Sequence, residues 1–253
     1  MKKEKEIGLI GFGNFGKFIV LHLHHFFKIA VYDPQLQEQI SDFPDVKQAT
    51  FQEAASREIV IVAVPVQFLE NLLRVMSPLV IPGALLVDVS SVKVKPVLWM
   101  KTLLPDTVEV LGTHPLFGPN SGRDGIKGFR IVVCPTGGER TPWVVKFLEE
   151  VLHLQVFIRT PEEHDREMAW VQALPHFIGK GLTQIGVQAS EQSTLAYEYL
   201  LRFHDIIKDD SDALFATIQQ ENPFAAEIRQ RFTDILGEIS ENLTHPPTGT
   251  ANS

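Results

Sequence analysis

A histidine followed by proline, a serine pair and a glycine-rich turn are the residues of this chain whose types and spacing can do chemistry. His114 lies in Gly112-Thr113-His114-Pro115-Leu116-Phe117-Gly118-Pro119-Asn120-Ser121-Gly122, and Ser91 lies in Asp88-Val89-Ser90-Ser91-Val92-Lys93. Imidazole titrates near neutral pH and so suits general-base work, with a serine hydroxyl as a hydrogen-bonding partner. The third element, Gly11-Phe12-Gly13-Asn14-Phe15-Gly16, has the spacing of a dinucleotide fingerprint. In such a turn Gly11 permits the tight bend, Gly13 lets backbone approach a pyrophosphate, and Gly16 lets helix and strand pack closely, with Asn14 and Phe15 opening the helix. Asp33 follows at the expected distance, where its carboxylate can accept from ribose hydroxyls and repel a 2′-phosphate, favouring NAD over NADP. Val64 and Pro65 are placed beside the cofactor by the same pattern, or are simply a strand stop.

These residues need a scaffold that gathers strand ends along one edge. Strand-like runs at Ile7 to Ile10, Ile29 to Tyr32, Ile59 to Val64, Leu85 to Asp88, Val108 to Gly112, Ile131 to Cys134 and Val156 to Ile158 alternate with helical patterns. The helices are expected at Asn14 to Phe27, Val66 to Met76, Lys93 to Thr102 and Thr141 to Leu152. That alternation predicts an α/β fold, a Rossmann-type doubly wound and mostly parallel sheet over residues 1–160. Asp33 would then be the last residue of the second strand, and the Ser91 and His114 blocks would follow their strands. From Pro161-Glu162-Glu163 onward the pattern is helical, giving a smaller all-α C-terminal domain over residues 161–240 and a disordered tail over 241–253. Phe177, Ile178, Leu182, Tyr197, Leu200, Leu201 and Phe203 give that bundle more apolar surface than it can bury alone, so it is expected to form a homodimer.

Composition narrows the class. A formal net charge of -8 argues against nucleic acid or an anionic membrane as partner, leaving a small-molecule substrate. No run reaches the ~18 apolar residues of a membrane span. The charged start of the chain lacks the apolar stretch of a signal peptide, and the single cysteine, Cys134, fits a reducing, cytoplasmic location. No metal is expected, because His22, His24 and His25 share their helix with no carboxylate or thiol.

The Asp88 to Lys93 and Gly112 to Gly122 blocks, joined by Glu163-His164-Asp165 and Gln172-Ala173-Leu174-Pro175-His176-Phe177, resemble the prephenate/arogenate dehydrogenase family. The resemblance spans about residues 6 to 235. It implies oxidative decarboxylation of prephenate or arogenate with hydride transfer to NAD, a step of tyrosine biosynthesis. By that resemblance His114 is the catalytic base on the substrate 4-hydroxyl and Ser91 bonds the same hydroxyl. His176 is then a substrate-side histidine, in a cleft between the domains. Ser91 can equally cap the helix near Lys93, His176 can be a packing histidine, and His164 and Asp165 are expected to fix the start of their helix.

The likeness departs at two places, one of them Asp33, which goes against the NADP preference usual in the plant group. Bacterial prephenate-type members carry an arginine for a substrate carboxylate where Glu198 stands, with Arg202 one turn on. Arg123, Arg130, Arg166 and Arg202 are all candidates for the ring carboxylate. In detail the chain is closest to plant-type arogenate dehydrogenases, and Asp124 matches an aspartate tied there to arogenate preference, or is a loop residue before Gly125. Two other readings stay open: another NAD-dependent hydroxyacid or imine oxidoreductase using Lys93, and a non-catalytic NAD-binding regulator.

Overall fold

A computed structural model describes residues 5–36, 40 and 43–244. They divide between Asp165 and Arg166 into two compact units.

The first unit is built on one eight-stranded sheet of order β3-β2-β1-β4-β5-β6-β7-β8. Its elements in chain order are β1 (Glu6–Ile10), α1 (Asn14–Leu23), β2 (Lys28–Tyr32), β3 (Val46–Gln48), α2 (Phe51–Ala55), β4 (Ile59–Val62), α3 (Val66–Met76), β5 (Leu85–Asp88), α4 (Val94–Leu103), β6 (Glu109–Pro115), β7 (Arg130–Pro135), α5 (Thr141–Lys146) and β8 (Gln155–Ile158). Strands β1 to β6 pair in parallel, and among the described residues only the β6–β7 pair is antiparallel. The order doubles back between β1 and β4, the kind of switch point beside which open α/β sheets bind ligands.

Apolar residues on both faces of the strands explain the two covering layers. Ile7, Leu9, Ile29, Val31, Ile59, Ile61, Leu111 and Val133 pack with Phe18 and Val20 of α1 and Val144 of α5. Their neighbours in register, Ile10, Val60, Val62, Leu86 and Val110, pack with Ala54 of α2, Leu69 and Leu73 of α3, and Val97 and Met100 of α4.

Two elements escape the sequence pattern: β3 and α2. β3 is three residues long, too short for periodicity, and α2 is a five-residue turn of helix. The signal that could have found α2 is its capping box, in which Thr50 Oγ1 accepts from Glu53 N while the Glu53 carboxylate accepts from Thr50 N. β6 continues to Pro115, three residues past the expected end, because His114 and Pro115 stand in register with Val132 and Ile131 of β7. β2 stops at Tyr32, so Asp33 is the first residue beyond it.

The second unit is helical. α6 (Pro161–Met168) straddles the division and runs through a wide turn (Ala169–Ala173) into α7 (Leu174–Ile185). α8 (Leu195–Ile207), α9 (Asp212–Ala216) with a wide turn (Thr217–Glu221), and α10 (Ala225–Thr244) follow. Its buried core is small, comprising Ala173, Ile218 and Ala225 with Leu214 against them. α8 buries no residue, while Ile185, Leu195, Tyr199, Ile206 and Leu243 are exposed. The disordered tail expected over 241–253 needs correction at its start, because residues 241–244 complete α10; the rest of it lies outside the described residues. Among the described residues no helix is long and apolar enough to cross a membrane.

Candidate active site

The glycine turn, Val64-Pro65, the Asp88 to Lys93 segment and His114 all lie at the carboxyl ends of parallel strands, along one edge of the sheet. Gly11 adopts a left-handed φ of 100°, donates to Tyr32 O at 2.9 Å, and leaves no room for a side chain, since a Cβ would stand 2.4 Å from Ala63 O. A Cβ on Gly11 would also stand 3.1 Å from Val64 Cγ1, which places Val64 against the turn. Pro65 caps α3 with extended backbone.

Gly13 is different, because a Cβ there would meet nothing within 4 Å. It caps α1 without any side-chain hydrogen bond, and no acid occupies the first turn of the helix. An uncapped helix N-terminus with bare backbone facing open space fits a pyrophosphate. Asp33 Oδ2 accepts from Phe12 N at 2.6 Å and Oδ1 from Gln35 N at 2.8 Å, so the acid is tied to the fingerprint and also makes the turn at Pro34. Asn14 is exposed at the start of α1. Phe15 is half-buried, its ring packed against the core 5.8 Å from that of Phe18, which leaves its backbone toward the turn.

The chemistry-bearing histidine sits in a buried polar network. His114 is 4% exposed, and its Nδ1 lies 2.8 Å from Nε2 of His164. His164 Nδ1 lies 2.7 Å from Asp165 Oδ1. Asp165 in turn accepts from the backbone N–H groups of Lys93 at 2.7 Å and Val94 at 2.9 Å, so it caps α4 from 72 residues away. The Lys93 side chain is wholly buried, donating to Asp88 Oδ2 and to Thr113 O at 2.6 Å. Gly112 makes room for it, because a Cβ there would press to 3.2 Å on the Lys93 stem and 2.8 Å on Val97.

Hydrogen-bond logic fixes the tautomers. A carboxylate only accepts, so His164 carries its proton on Nδ1 and presents a bare Nε2. That nitrogen accepts from Nδ1–H of His114, which leaves Nε2 of His114 as the basic nitrogen. Burial holds the His114 imidazole well below the usual histidine range, with the neighbouring His164 and the Lys93 ammonium pushing the same way. His164 is also lowered, chiefly by burial, against the opposing hydrogen bond to Asp165. Burial also pushes the Cys134 thiol up to about 12, so it is no nucleophile.

The other expected residues are placed as follows. Ser91 is half-buried one residue from Ser90; α4 receives its cap from Asp165 rather than from Ser91. Ser90 Oγ donates to Val92 O. Asp124 is exposed in a pocket with Leu21, His22, His25 and Phe26, toward the end of α1 away from the glycine turn. In the second unit His176 has both nitrogens engaged, Nδ1 with Gln172 O at 2.8 Å and Nε2 with Asp210 Oδ2 at 3.0 Å. Arg202 is exposed and lies over the Tyr199 ring, and Glu198 is exposed on the same helix. In the histidine cluster the His24 and His25 rings lie 3.7 Å apart at a tilt of 42°, while His22 meets the Phe18 ring edge-on.

The roles of His164, Asp165 and Lys93 escape sequence reasoning. The sequence pattern assigns the first two to their own helix, whereas Asp165 serves α4 and His164 serves His114. An adjacent His-Asp pair with no apolar reason to be buried is the available clue.

Both parts of the chain match known proteins. Residues 33–156 match the family model described as prephenate dehydrogenase, nucleotide-binding domain. Residues 160–248 match the family model described as prephenate dehydrogenase, dimerization domain. A probable arogenate/prephenate dehydrogenase of Methanocaldococcus jannaschii is 36% identical over 203 residues, covering 75% of this chain and 44% of that protein. Arogenate dehydrogenase 2, chloroplastic, of Arabidopsis thaliana is 28% identical over 258 residues, covering 94% of this chain and 70% of that protein. The chain therefore spans under half the length of the archaeal relative. Among solved structures, prephenate dehydrogenase from A. aeolicus in complex with hydroxyphenyl propionate and NAD+ superposes with a TM-score of 0.75. At 19% identity, over 95% of this chain and 91% of that one, this likeness establishes the fold.

Proposed function

The chain belongs to the prephenate dehydrogenase family, and on that premise we propose that it is an NAD-dependent oxidoreductase converting arogenate or prephenate in tyrosine biosynthesis. The observation that carries the reading is His114, buried at a strand end with its Nδ1 committed and its Nε2 left basic. NAD, when bound, supplies the two-electron oxidant. Gly11, Gly13, Asn14, Phe15 and Gly16 would hold it through backbone, with Asp33 to accept from a ribose hydroxyl and Val64 and Pro65 beside the turn, and the uncapped N-terminus of α1 would take its pyrophosphate.

His114 accepts the proton of the substrate 4-hydroxyl as the ring carbon is oxidised, and Ser91 bonds the same oxygen. Loss of the ring carboxylate as CO2 follows, and aromatisation makes the reaction irreversible. His176 and Arg202 of the second unit are proposed substrate contacts; for His176, contact requires exchanging its bond to Asp210. Asp124 is the proposed source of arogenate preference, which its position near the end of α1 does not favour. The exposed apolar residues of α8 and α10 support a homodimer made through the second unit, as does the description of the matching family model. The single buried cysteine supports a cytoplasmic location.

The test is NADH formation by purified protein with each substrate and with NAD or NADP. Turnover with NAD on arogenate above that on prephenate is expected. A prephenate-to-arogenate ratio of kcat/KM well above one overturns the substrate preference, and binding of NAD without turnover of either overturns the reaction.

A further inference from the structure

We infer that His164 and Asp165 are positioning residues that act on the chemical step through His114, setting which nitrogen of His114 is the base. The inference rests on the proposed reaction for its kinetic consequence, but its structural content is separate.

The chain of bonds has one direction. Asp165 accepts from Nδ1–H of His164, and Nε2 of His164 accepts from Nδ1–H of His114. Each link is determined by the one before it, because each imidazole can carry only one proton while neutral. Asp165 is itself immobilised by two backbone N–H groups at the N-terminus of α4, so it cannot rotate away from His164. All three side chains are buried, and no bulk water competes for the bonds. The same geometry handles the charge. When Nε2 of His114 takes the substrate hydroxyl proton, the Nδ1 proton passes to Nε2 of His164. The positive charge then rests on His164, directly against the Asp165 carboxylate. One proton enters at Nε2 of His114, one moves between the rings, and none is lost. Lys93, held by Asp88 and Thr113, takes no part in the transfer.

The test compares His164→Gln with His164→Leu. Glutamine retains an acceptor toward His114 and a donor toward Asp165, so it keeps the His114 proton on Nδ1, whereas leucine removes both bonds. Glutamine should therefore exceed leucine in kcat by ~10²-fold, the lower end for a general base, with little change in KM; equal rates overturn the relay. Nitrogen NMR of the histidine rings in the ligand-free protein reads the tautomer directly. The parent should carry the His114 proton on Nδ1, and a parent that carries it on Nε2 overturns the inference. Correct tautomers without turnover of either substrate would uphold this inference and sink the proposed reaction instead.

Discussion

Replacing Lys93 by methionine should be among the most damaging single substitutions in the first unit that leaves no cavity. The two side chains are similar in length and the lysine is wholly buried, so packing is kept and only the ammonium is removed. What remains is the Asp88 carboxylate, 1% exposed, with Ser90 N at 3.0 Å but without its cation. Removing one partner of a buried pair costs about 3–5 kcal/mol, because the other charge is left uncompensated. Thr113 O loses its donor as well, on the order of 1 kcal/mol. A total of about 4–6 kcal/mol is a large part of the roughly 5–15 kcal/mol that holds a domain folded. For a chain of this size that lowers Tm by roughly 8–24 °C at 2–4 °C per kcal/mol. Adding Asp88→Asn removes the orphaned charge while keeping an acceptor for Ser90 N, so the double variant should regain at least half of the loss. Urea unfolding of the parent, the two single variants and the double variant measures the cycle. A loss below about 1 kcal/mol for Lys93→Met, or a double variant no more stable than the single, would refute the reasoning.

Further outcomes follow from other parts of the structure. Gly13→Val should leave Tm close to the parent, because its side chain enters open space, yet weaken NAD binding at least tenfold. Gly16→Val should instead lower Tm, since its Cβ would stand 2.2 Å from Gly11 O; calorimetry and NAD titration separate the two. His114 and His164 are both lowered from the ordinary histidine value of 6.5, so the unfolded chain binds protons that the folded one does not. Stability should therefore rise with pH up to about neutrality and fall as pH drops below 6.5, while kcat/KM should hold to pH values below 6.5 before declining. A Tm that is flat from neutral pH down to about 5 would contradict this. Ile206→Glu places a charge on an apolar residue that is 74% exposed, so sedimentation should show dissociation of the proposed homodimer while the isolated fold is preserved.

Much of the scaffold was legible because its determinants are local. β5 and α3 fall where β-branched runs and helical periodicity put them, and the glycine turn sits between a strand and a helix as its spacing requires. Elements held by partners distant in sequence were not legible. β6 runs on to Pro115 only because β7 returns beside it, and β3 exists only as an edge added to β2. The site shows the same split. His114 stands out through its flanking prolines and glycines, whereas the route from Asp165 to His114 depends on α4 and α6 meeting. Nothing in the local sequence at Glu163-His164-Asp165 reveals that α4 needs a carboxylate cap. Phe15 serves both, its backbone in the glycine turn and its side chain packed against the core.

The central claim, that Nε2 of His114 is the base in an NAD-dependent oxidation, is tested most directly by His114→Asn. Asparagine keeps a donor toward His164 and removes the basic nitrogen. With NAD binding unchanged, NADH formation from arogenate or prephenate should fall by ~10²–10⁴-fold, the contribution of a general base. Turnover within about threefold of the parent would contradict the account.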